Sequence, residues 1–199
     1  MNQLLLTVRW ILVFVLVSLL CSCNTTMKSQ MDPDEEEDHP VYTDNPKYDS
    51  VNYESRLPHY LNTGGQKTVL IDPNVHAWGA YNENGELIRA GIATAGGAIC
   101  PPDADGELDC RTGMGTFHVT SLGGEDCYSK TYPRPKGGGL MPFCMYFNNG
   151  QALHGSPDNI LLEANVSHGC VRMHIPDAEW MRYHFAQVGT KVIVVPYAE

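Results

Sequence analysis

The eight residues from Ser167 to His174, SHGCVRMH, concentrate one cysteine, two histidines and one arginine. Four roles are open to Cys170: half of a disulfide, a metal ligand, a small buried apolar residue, or a nucleophile. A nucleophilic thiol needs a base within hydrogen-bond reach and donors for an oxyanion. His168 is a candidate base, and Arg172 brings a positive charge. An imidazole and a guanidinium nearby are expected to lower the thiol pKa towards neutrality.

The glycine before the thiol, Gly169, lets the backbone turn sharply. The N–H groups of Gly169 and Cys170 are therefore expected to point at one spot and form an oxyanion hole. A second His-Gly pair, His154-Gly155 in LHGS, lies sixteen residues before the cysteine. A loop between two adjacent strands could close that distance. Sequence spacing alone leaves open whether His154 or His168 is the base.

The same octet also has a metal interpretation. His168, Cys170 and His174 are spaced i, i+2 and i+6, and on an extended strand the first two share a face. A structural zinc site uses four nitrogen or sulfur ligands, usually as two close pairs. The other cysteines offer no C-x-x-C pair. We therefore expect no metal and no cofactor.

The N-terminal residues resemble an export signal. An apolar run, WILVFVLVSLL, follows Arg9 and is shorter than the roughly 20 residues of a membrane-spanning helix. Its end, LCSC, resembles a bacterial lipobox, in which Cys23 becomes the lipidated first residue after removal of residues 1–22. Simple cleavage and a retained anchor are the alternatives. By resemblance to Gram-negative sorting rules, Asn24 indicates an outer-membrane lipoprotein at the periplasmic face of the envelope.

Export makes the number of cysteines informative. Of the seven cysteines, Cys21 would leave with the signal and Cys23 would carry lipid. The remaining five are an odd number, so an oxidising compartment leaves at least one free thiol or an intermolecular bridge. We expect Cys170 to be the free thiol, although the sequence does not fix the connectivity. The expected pairs are Cys100–Cys110 and Cys127–Cys144.

The rest of the chain predicts a tether followed by one mainly β domain. Residues 23–64 are polar and acidic and are expected to form a partly disordered tether. The net charge of −10 argues against nucleic acid as a partner. Residues 65–199 contain short strand-like segments with turn signals at close spacing, which predict an antiparallel sandwich or barrel. These segments are KTVLID, VHAWGAY, ELIRAGIATAG, GTFHVTSL, FCMYFNNG, QALHGS and KVIVVP.

One helix is predicted over IPDAEWMRYHFAQVG. Pro176 suits the first helical position, and Gly189 suits a helix stop. Apolar and aromatic side chains at helical spacing predict a buried face. The predicted face consists of Trp180, Met181, His184, Phe185 and Val188.

Together, LHGS and VSHGCVRMHIPDAEWM resemble the signature of the L,D-transpeptidase (YkuD/ErfK) family. That signature is His-Gly, a gap, then Ser-His-Gly-Cys-x-Arg-Met followed by Asp-Ala. Upstream, TGMGTFHV and MPFCMYF resemble the family's Gly-x-Phe/Tyr strand and its Met-Pro-aromatic segment. The resemblance covers residues 66–197 and implies a β-sandwich with short helices. The extra cysteines and the loop from Gly96 to Thr112 are not general features of the family.

The resemblance implies a role for each motif residue. Cys170 would be the nucleophile and His154 its base, with the Gly155 carbonyl orienting the imidazole as the third member of a Cys-His arrangement. His168 would shape the site and share proton transfer. Arg172 would bind a substrate carboxylate, for which a planar two-pronged donor fits best. The remaining motif residue, Ser167, is placed with Arg172 on the substrate-binding side of the site and would hold the loop by hydrogen bonding.

The implied function is that of a peptidoglycan L,D-transpeptidase. The thiolate would attack the L-centre carbonyl of a tetrapeptide stem, release D-alanine, and transfer the acyl group to an amine of a second stem or of an anchored protein. Hydrolysis of the same acyl-enzyme, by an L,D-carboxypeptidase or endopeptidase, is the first alternative. An inactive wall-binding module is the second. The expected partners are peptidoglycan stem peptides, a wall-anchored protein as acceptor, and the membrane through a lipid anchor.

Overall fold

Two β-sheets form the frame of the folded part, which a computed structural model describes for residues 50–104 and 109–198. The larger sheet contains five strands in the order β3-β2-β1-β9-β4, and the smaller contains four in the order β5-β6-β7-β8. The strands of the larger sheet are β1 (Thr68–Asp72), β2 (Ala77–Tyr81), β3 (Leu87–Ile92), β4 (Gly115–His118) and β9 (Lys191–Val194). Those of the smaller sheet are β5 (Ser121–Leu122), β6 (Met145–Asn148), β7 (Gln151–Ser156) and β8 (Val171–His174).

The two sheets enclose the main hydrophobic core between them. Val69 and Ile71 of β1 and Leu153 of β7 are fully buried in one cluster, together with Met173 of β8. Alternate residues of a strand point to opposite faces, so one face of each sheet supplies this cluster. The mainly β sandwich with few short helices is confirmed.

Two strand pairings are parallel, β1 with β9 and β7 with β8. The sequence predicted an antiparallel arrangement, and for these two pairs that prediction is wrong. Parallel neighbours need a crossover connection of a dozen or more residues. Residues 157–170 provide one between β7 and β8, and most of the chain separates β1 from β9. Antiparallel hairpins elsewhere follow short turns, as at Asn149-Gly150 between β6 and β7.

The predicted helix is shorter than expected. Helix α1 spans Ile175–Trp180, and a π-helical turn follows over Met181–Phe185. Met181 and Phe185 are buried as predicted, but His184 and Val188 are exposed. The wider π turn moves His184 off the buried face, and the extended backbone at Ala186 ends the helix before Val188. Within the part of the chain that the structure describes, the other helical pieces are 3-10 turns at Glu54–Arg56, Pro102–Ala104 and Asp158–Ile160.

The folded part begins earlier than the boundary predicted at residue 64. Tyr53 and Leu57 are each only 5% exposed and pack with Leu70 and Tyr81 on the outer face of the larger sheet. This segment covers an apolar face of the sheet, which stabilises the fold because that face would otherwise be exposed to water. The predicted signal, Cys23 and most of the predicted tether lie outside the described residues. Within the described part, none of the helices has the length and apolarity needed to cross a membrane.

Candidate active site

Strands β7 and β8 bring the two sequence motifs together. Their parallel register places Leu153 beside Val171 and His154 beside Arg172. Cys170 comes immediately before β8 and packs against Ala152, the β7 residue before Leu153. His154, Arg172 and Cys170 all line one cleft of about 310 Å³. His154 and Cys170, sixteen residues apart in sequence, therefore share one cleft.

The backbone fixes the His154 imidazole in one tautomer. Its Nδ1 lies 2.8 Å from the Gly155 carbonyl oxygen, and a carbonyl only accepts, so Nδ1 carries the proton and Nε2 carries the lone pair. Burial lowers the pKa of His154 to about 4, the Arg172 charge acts in the same direction, and the Gly155 carbonyl opposes them. His154 is therefore neutral at pH 7, with an acceptor nitrogen.

The Cys170 thiol lies in surroundings that disfavour its charge. Burial raises the pKa of Cys170, and the backbone N–H of Ala152 and the charge of Arg172 only partly offset this. The expectation of a lowered thiol pKa is therefore wrong, because desolvation outweighs the neighbouring positive charge. At pH 7 the cleft therefore holds a neutral thiol and a neutral imidazole.

Gly169 makes the sharp turn before the thiol. Its φ of +109° lies in the region that favours glycine, and a Cβ there would stand 2.7 Å from Gln151 Nε2. The Thr112 hydroxyl donates to the Gly169 carbonyl at 2.9 Å and accepts the Gly96 N–H at 3.0 Å. These contacts hold the turn from two sides. Thr112 and Gln151 were not predicted as site residues: Thr112 begins the TGMGTFHV segment and Gln151 begins β7, but the sequence does not show that either side chain reaches the turn.

Ser167 bonds to the turn as predicted. Its hydroxyl accepts the Gly169 N–H at 3.1 Å and donates to the Cys170 carbonyl. The Gly169 N–H is thus directed at Ser167, and it would have to give up that bond to serve as an oxyanion donor. The predicted oxyanion role of the Gly169 and Cys170 N–H groups stays a prediction.

The other polar residues of the octet differ in position. His168 lines the cleft and stacks on the Tyr132 ring with 4.3 Å between ring centroids. Arg172 also lines the cleft, and its Nη1 donates to the Ile160 carbonyl at 3.3 Å. His174 instead pairs with Asp158, with 3.3 Å between Nε2 and Oδ1. Among residues 50–104 and 109–198, no group of three or more His, Cys, Asp or Glu side chains could hold a metal ion.

The cysteines of the described part form two disulfides and leave one thiol. Cys100 is bonded to Cys110, and Cys127 to Cys144. Cys170 is the free cysteine of these five. This is the pairing expected from the sequence.

Comparisons with known proteins agree with this geometry. The family model of the L,D-transpeptidase catalytic domain (YkuD) matches residues 66–194. A Bacillus subtilis (strain 168) protein named "Putative L,D-transpeptidase YciB" is 31% identical over 140 residues, which cover 65% of this chain and 66% of that protein.

Solved L,D-transpeptidases share the fold. The enzyme from Xylanimonas cellulosilytica DSM 15894 has a TM-score of 0.58 and 22% identity, over 71% of this chain and 66% of that one. L,D-transpeptidase 3 from Mycobacterium tuberculosis, solved in complex with a faropenem-derived adduct, has a TM-score of 0.52 and 21% identity, over 66% and 60%. The chain thus spans at most about two thirds of the length of these relatives. The family match, the curated relative and the fold agree, and the chain belongs to the L,D-transpeptidase (YkuD) family.

Proposed function

We propose that this chain is a peptidoglycan L,D-transpeptidase in which Cys170 is the nucleophile and His154 the base. The observation that carries the proposal is the neutral, backbone-oriented imidazole of His154 in the same cleft as the free thiol of Cys170. A neutral imidazole whose Nδ1 proton is held by a carbonyl has Nε2 ready to accept a proton. Family membership supports the same chemistry.

In the first half-reaction, His154 Nε2 takes the thiol proton while Cys170 Sγ attacks the carbonyl carbon at the L-centre of a tetrapeptide stem. The bond to D-alanine breaks, and the imidazolium returns the proton to the leaving amine. A thioester on Cys170 remains. Because Cys170 has a raised pKa, proton transfer accompanies attack and no stable thiolate precedes it.

In the second half-reaction, an amine attacks the thioester and gives a proton to His154 Nε2. The new amide bond forms as the C–S bond breaks, and the proton returns to sulfur. The acceptor is an amine of a second stem or a lysine of an anchored protein. Arg172 binds a carboxylate of the stem, because its planar guanidinium faces the cleft beside His154.

Purified disaccharide-tetrapeptides test the function directly. We expect the chain to produce dimers that lack one D-alanine, detected by mass spectrometry. Tripeptides without dimers would instead identify an L,D-carboxypeptidase. Cys170→Ser and His154→Gln are the matched variants, and both should lose all product. Product formation by Cys170→Ser would sink the mechanism, and no product from the unaltered chain would sink the function.

Faropenem gives an independent test of the nucleophile. A relative of this chain was solved with a faropenem-derived adduct, and we expect the same compound to acylate Cys170 here. Peptide mass spectrometry should place the added mass on Cys170. Because Cys100, Cys110, Cys127 and Cys144 are in disulfides, their peptides are internal controls. An adduct on another residue would contradict the assignment.

We also propose that the chain is exported and anchored by lipid on Cys23 at the periplasmic face of the outer membrane. The LCSC sequence after the apolar run supports this location. In a Gram-negative host, a labelled fatty acid should be incorporated into the chain and not into Cys23→Ala. Recovery of unlabelled wild-type chain from the outer-membrane fraction would contradict lipidation.

A further inference from the structure

One wall of the cleft is formed by residues 128–143, which we call the flap. The Cys127–Cys144 disulfide joins the two ends of this segment. The opposite wall carries His154 and Arg172. Six flap residues line the cleft: Ser129, Tyr132, Pro133, Gly139, Leu140 and Met141.

Residues 128–140 of the flap have little buried packing, whereas Met141 and Phe143 at its end are buried. Every residue from 128 to 140 is partly or fully exposed. Backbone bonds give the flap its shape: the Ser129 N–H donates to the Gly139 carbonyl at 2.7 Å, and the Gly139 N–H donates to the Tyr132 carbonyl at 2.9 Å. Those bonds lie within the flap and do not fix its position on the domain. Segments with few buried contacts open at low free-energy cost.

The flap is held to the domain at its last residues, at its disulfide-bonded base and near its tip. Among the last residues, Phe143 is buried in the main core, and the Pro142 carbonyl accepts the Gly155 N–H at 2.8 Å. At its base, Cys144 is fully buried beside β6 and is bonded to Cys127, whose carbonyl accepts the Met141 N–H at 2.8 Å. Near its tip, the Tyr132 ring stacks on His168, with an interplanar angle of 27°. His168 lies two residues before the nucleophile, so the stack closes the flap onto the loop that carries Cys170.

We infer that the flap determines specificity for the acyl donor, that Tyr132 is the positioning residue that closes it on His168, and that the Cys127–Cys144 disulfide clamps its base. The inference rests on the proposed function, because it concerns the donor stem of the same reaction. A stem held in a cleft of about 310 Å³ contacts both walls. Loss of the stack or of the disulfide would loosen the part of this wall formed by residues 128–140, while Phe143 keeps the end of the flap in the core.

A small reductant can reach the clamp from the Cys127 side, because Cys127 is half-buried whereas Cys144 is fully buried. Cys127 and Cys144 line a second hollow of about 300 Å³ on the protein surface. A dithiol supplies two electrons and two protons, which convert the disulfide to two thiols while the dithiol becomes its own disulfide. Reduction is therefore a second way to release the base of the flap, beside substitution of the two cysteines.

The test compares the full-length chain with Tyr132→Ala, Tyr132→Phe and the double variant Cys127→Ala/Cys144→Ala. D-alanine release from disaccharide-tetrapeptide gives kcat and KM, and iodoacetamide alkylation of Cys170 reports the thiol. We expect Tyr132→Ala and the double variant to raise KM by about tenfold and to leave kcat and alkylation near wild-type values. Tyr132→Phe should keep the stack and the wild-type KM. Tyr128→Ala, an exposed tyrosine of the same flap, is the matched control and should behave as wild type.

An unchanged KM in Tyr132→Ala overturns the inference, and so does a loss of Cys170 alkylation, since the flap would then act on the thiol. Tyr132→Ala removes only a half-buried side chain, so it keeps the test decisive if the double variant fails to fold. A wild-type chain that releases no D-alanine would mean failure of the proposed function. If the wild-type chain is active and the variants have the same KM, only the flap inference fails.

Discussion

His154 is buried and neutral, and this sets the expected pH dependence of the reaction. Its pKa is lowered to about 4, so Nε2 keeps its lone pair well below the pH at which an ordinary histidine is protonated. We expect faropenem acylation of Cys170 to decline on the acid side with a midpoint near pH 4. The rate would be followed by mass spectrometry in buffers on both sides of that pH. A midpoint near 6.5 would show that the base is a solvated histidine.

The same pKa shift affects folding stability. Between about pH 6.5 and pH 4 the unfolded chain binds a proton at His154 and the folded chain does not, so stability falls as the pH is lowered. A shift of that size corresponds to about 3 kcal/mol once the pH is below both pKa values. Urea unfolding at pH 7 and pH 4.5 should show a larger loss in the wild-type chain than in His154→Gln. Equal losses would contradict the burial of an uncharged imidazole.

The sequence predicted the contacts of a residue where that residue belongs to a known motif. It did not predict properties that depend on how distant parts of the chain pack together. The bond from His154 Nδ1 to the Gly155 carbonyl follows from the motif and is present. The sign of the Cys170 pKa shift was wrong, because sequence shows which charges are near but not how much water is excluded. Thr112 was missed as a support of the turn, since it reaches Gly169 from a distance of 57 residues in sequence.

At the scale of elements, Gly169 and Gly189 separate two effects of a side chain in a turn: contact with a neighbouring residue and backbone strain. Gly169 and Gly189 both have a positive φ, but only at Gly169 would a Cβ meet another residue, Gln151. We expect Gly169→Ala to destabilise the domain by about 1–3 kcal/mol and to remove most faropenem acylation. Gly189→Ala carries the backbone strain alone and should keep normal acylation. Thermal melts and acylation rates check both variants, and equal effects would mean that backbone strain alone matters.

Strands and turns follow local patterns, whereas their partners depend on distant parts of the chain. The seven predicted strand segments contain eight of the nine strands, and β8, which follows the nucleophile, was not among them. Parallel pairing of β7 with β8 depends on the path of residues 157–170, which carries no period of its own. The early end of the helix after Trp180 reflects packing of Met181 and Phe185 in the core, which helical spacing alone cannot reveal.

At the scale of the whole molecule, the N-terminal segment supports the connection that leads to the nucleophile. The Tyr53 hydroxyl donates to Glu163 at 2.8 Å, and Arg56 forms an ion pair with the same carboxylate at 3.0 Å. The Tyr53 hydrogen bond lowers the pKa of Glu163, and the Arg56 charge adds to the effect. Glu163 and the buried Leu161 belong to the 157–170 connection, so residues 53–57 fix one side of the path from β7 to Cys170.

Removal of this support should therefore affect both stability and catalysis. Leu57 is 5% exposed and packs in the same cluster as Leu161, so Leu57→Ala should cost about 2–5 kcal/mol of unfolding free energy. Tyr60→Ala is the matched control, because Tyr60 is 68% exposed and surface substitutions usually change stability by less than about 0.5 kcal/mol.

A chain that begins at residue 65 should be less stable than one that begins at residue 50 and should acylate more slowly with faropenem, since the connection loses its anchor at Glu163. Urea unfolding and acylation rates measure the two effects separately. Equal stability of the two chains would show that the catalytic domain needs nothing before residue 65.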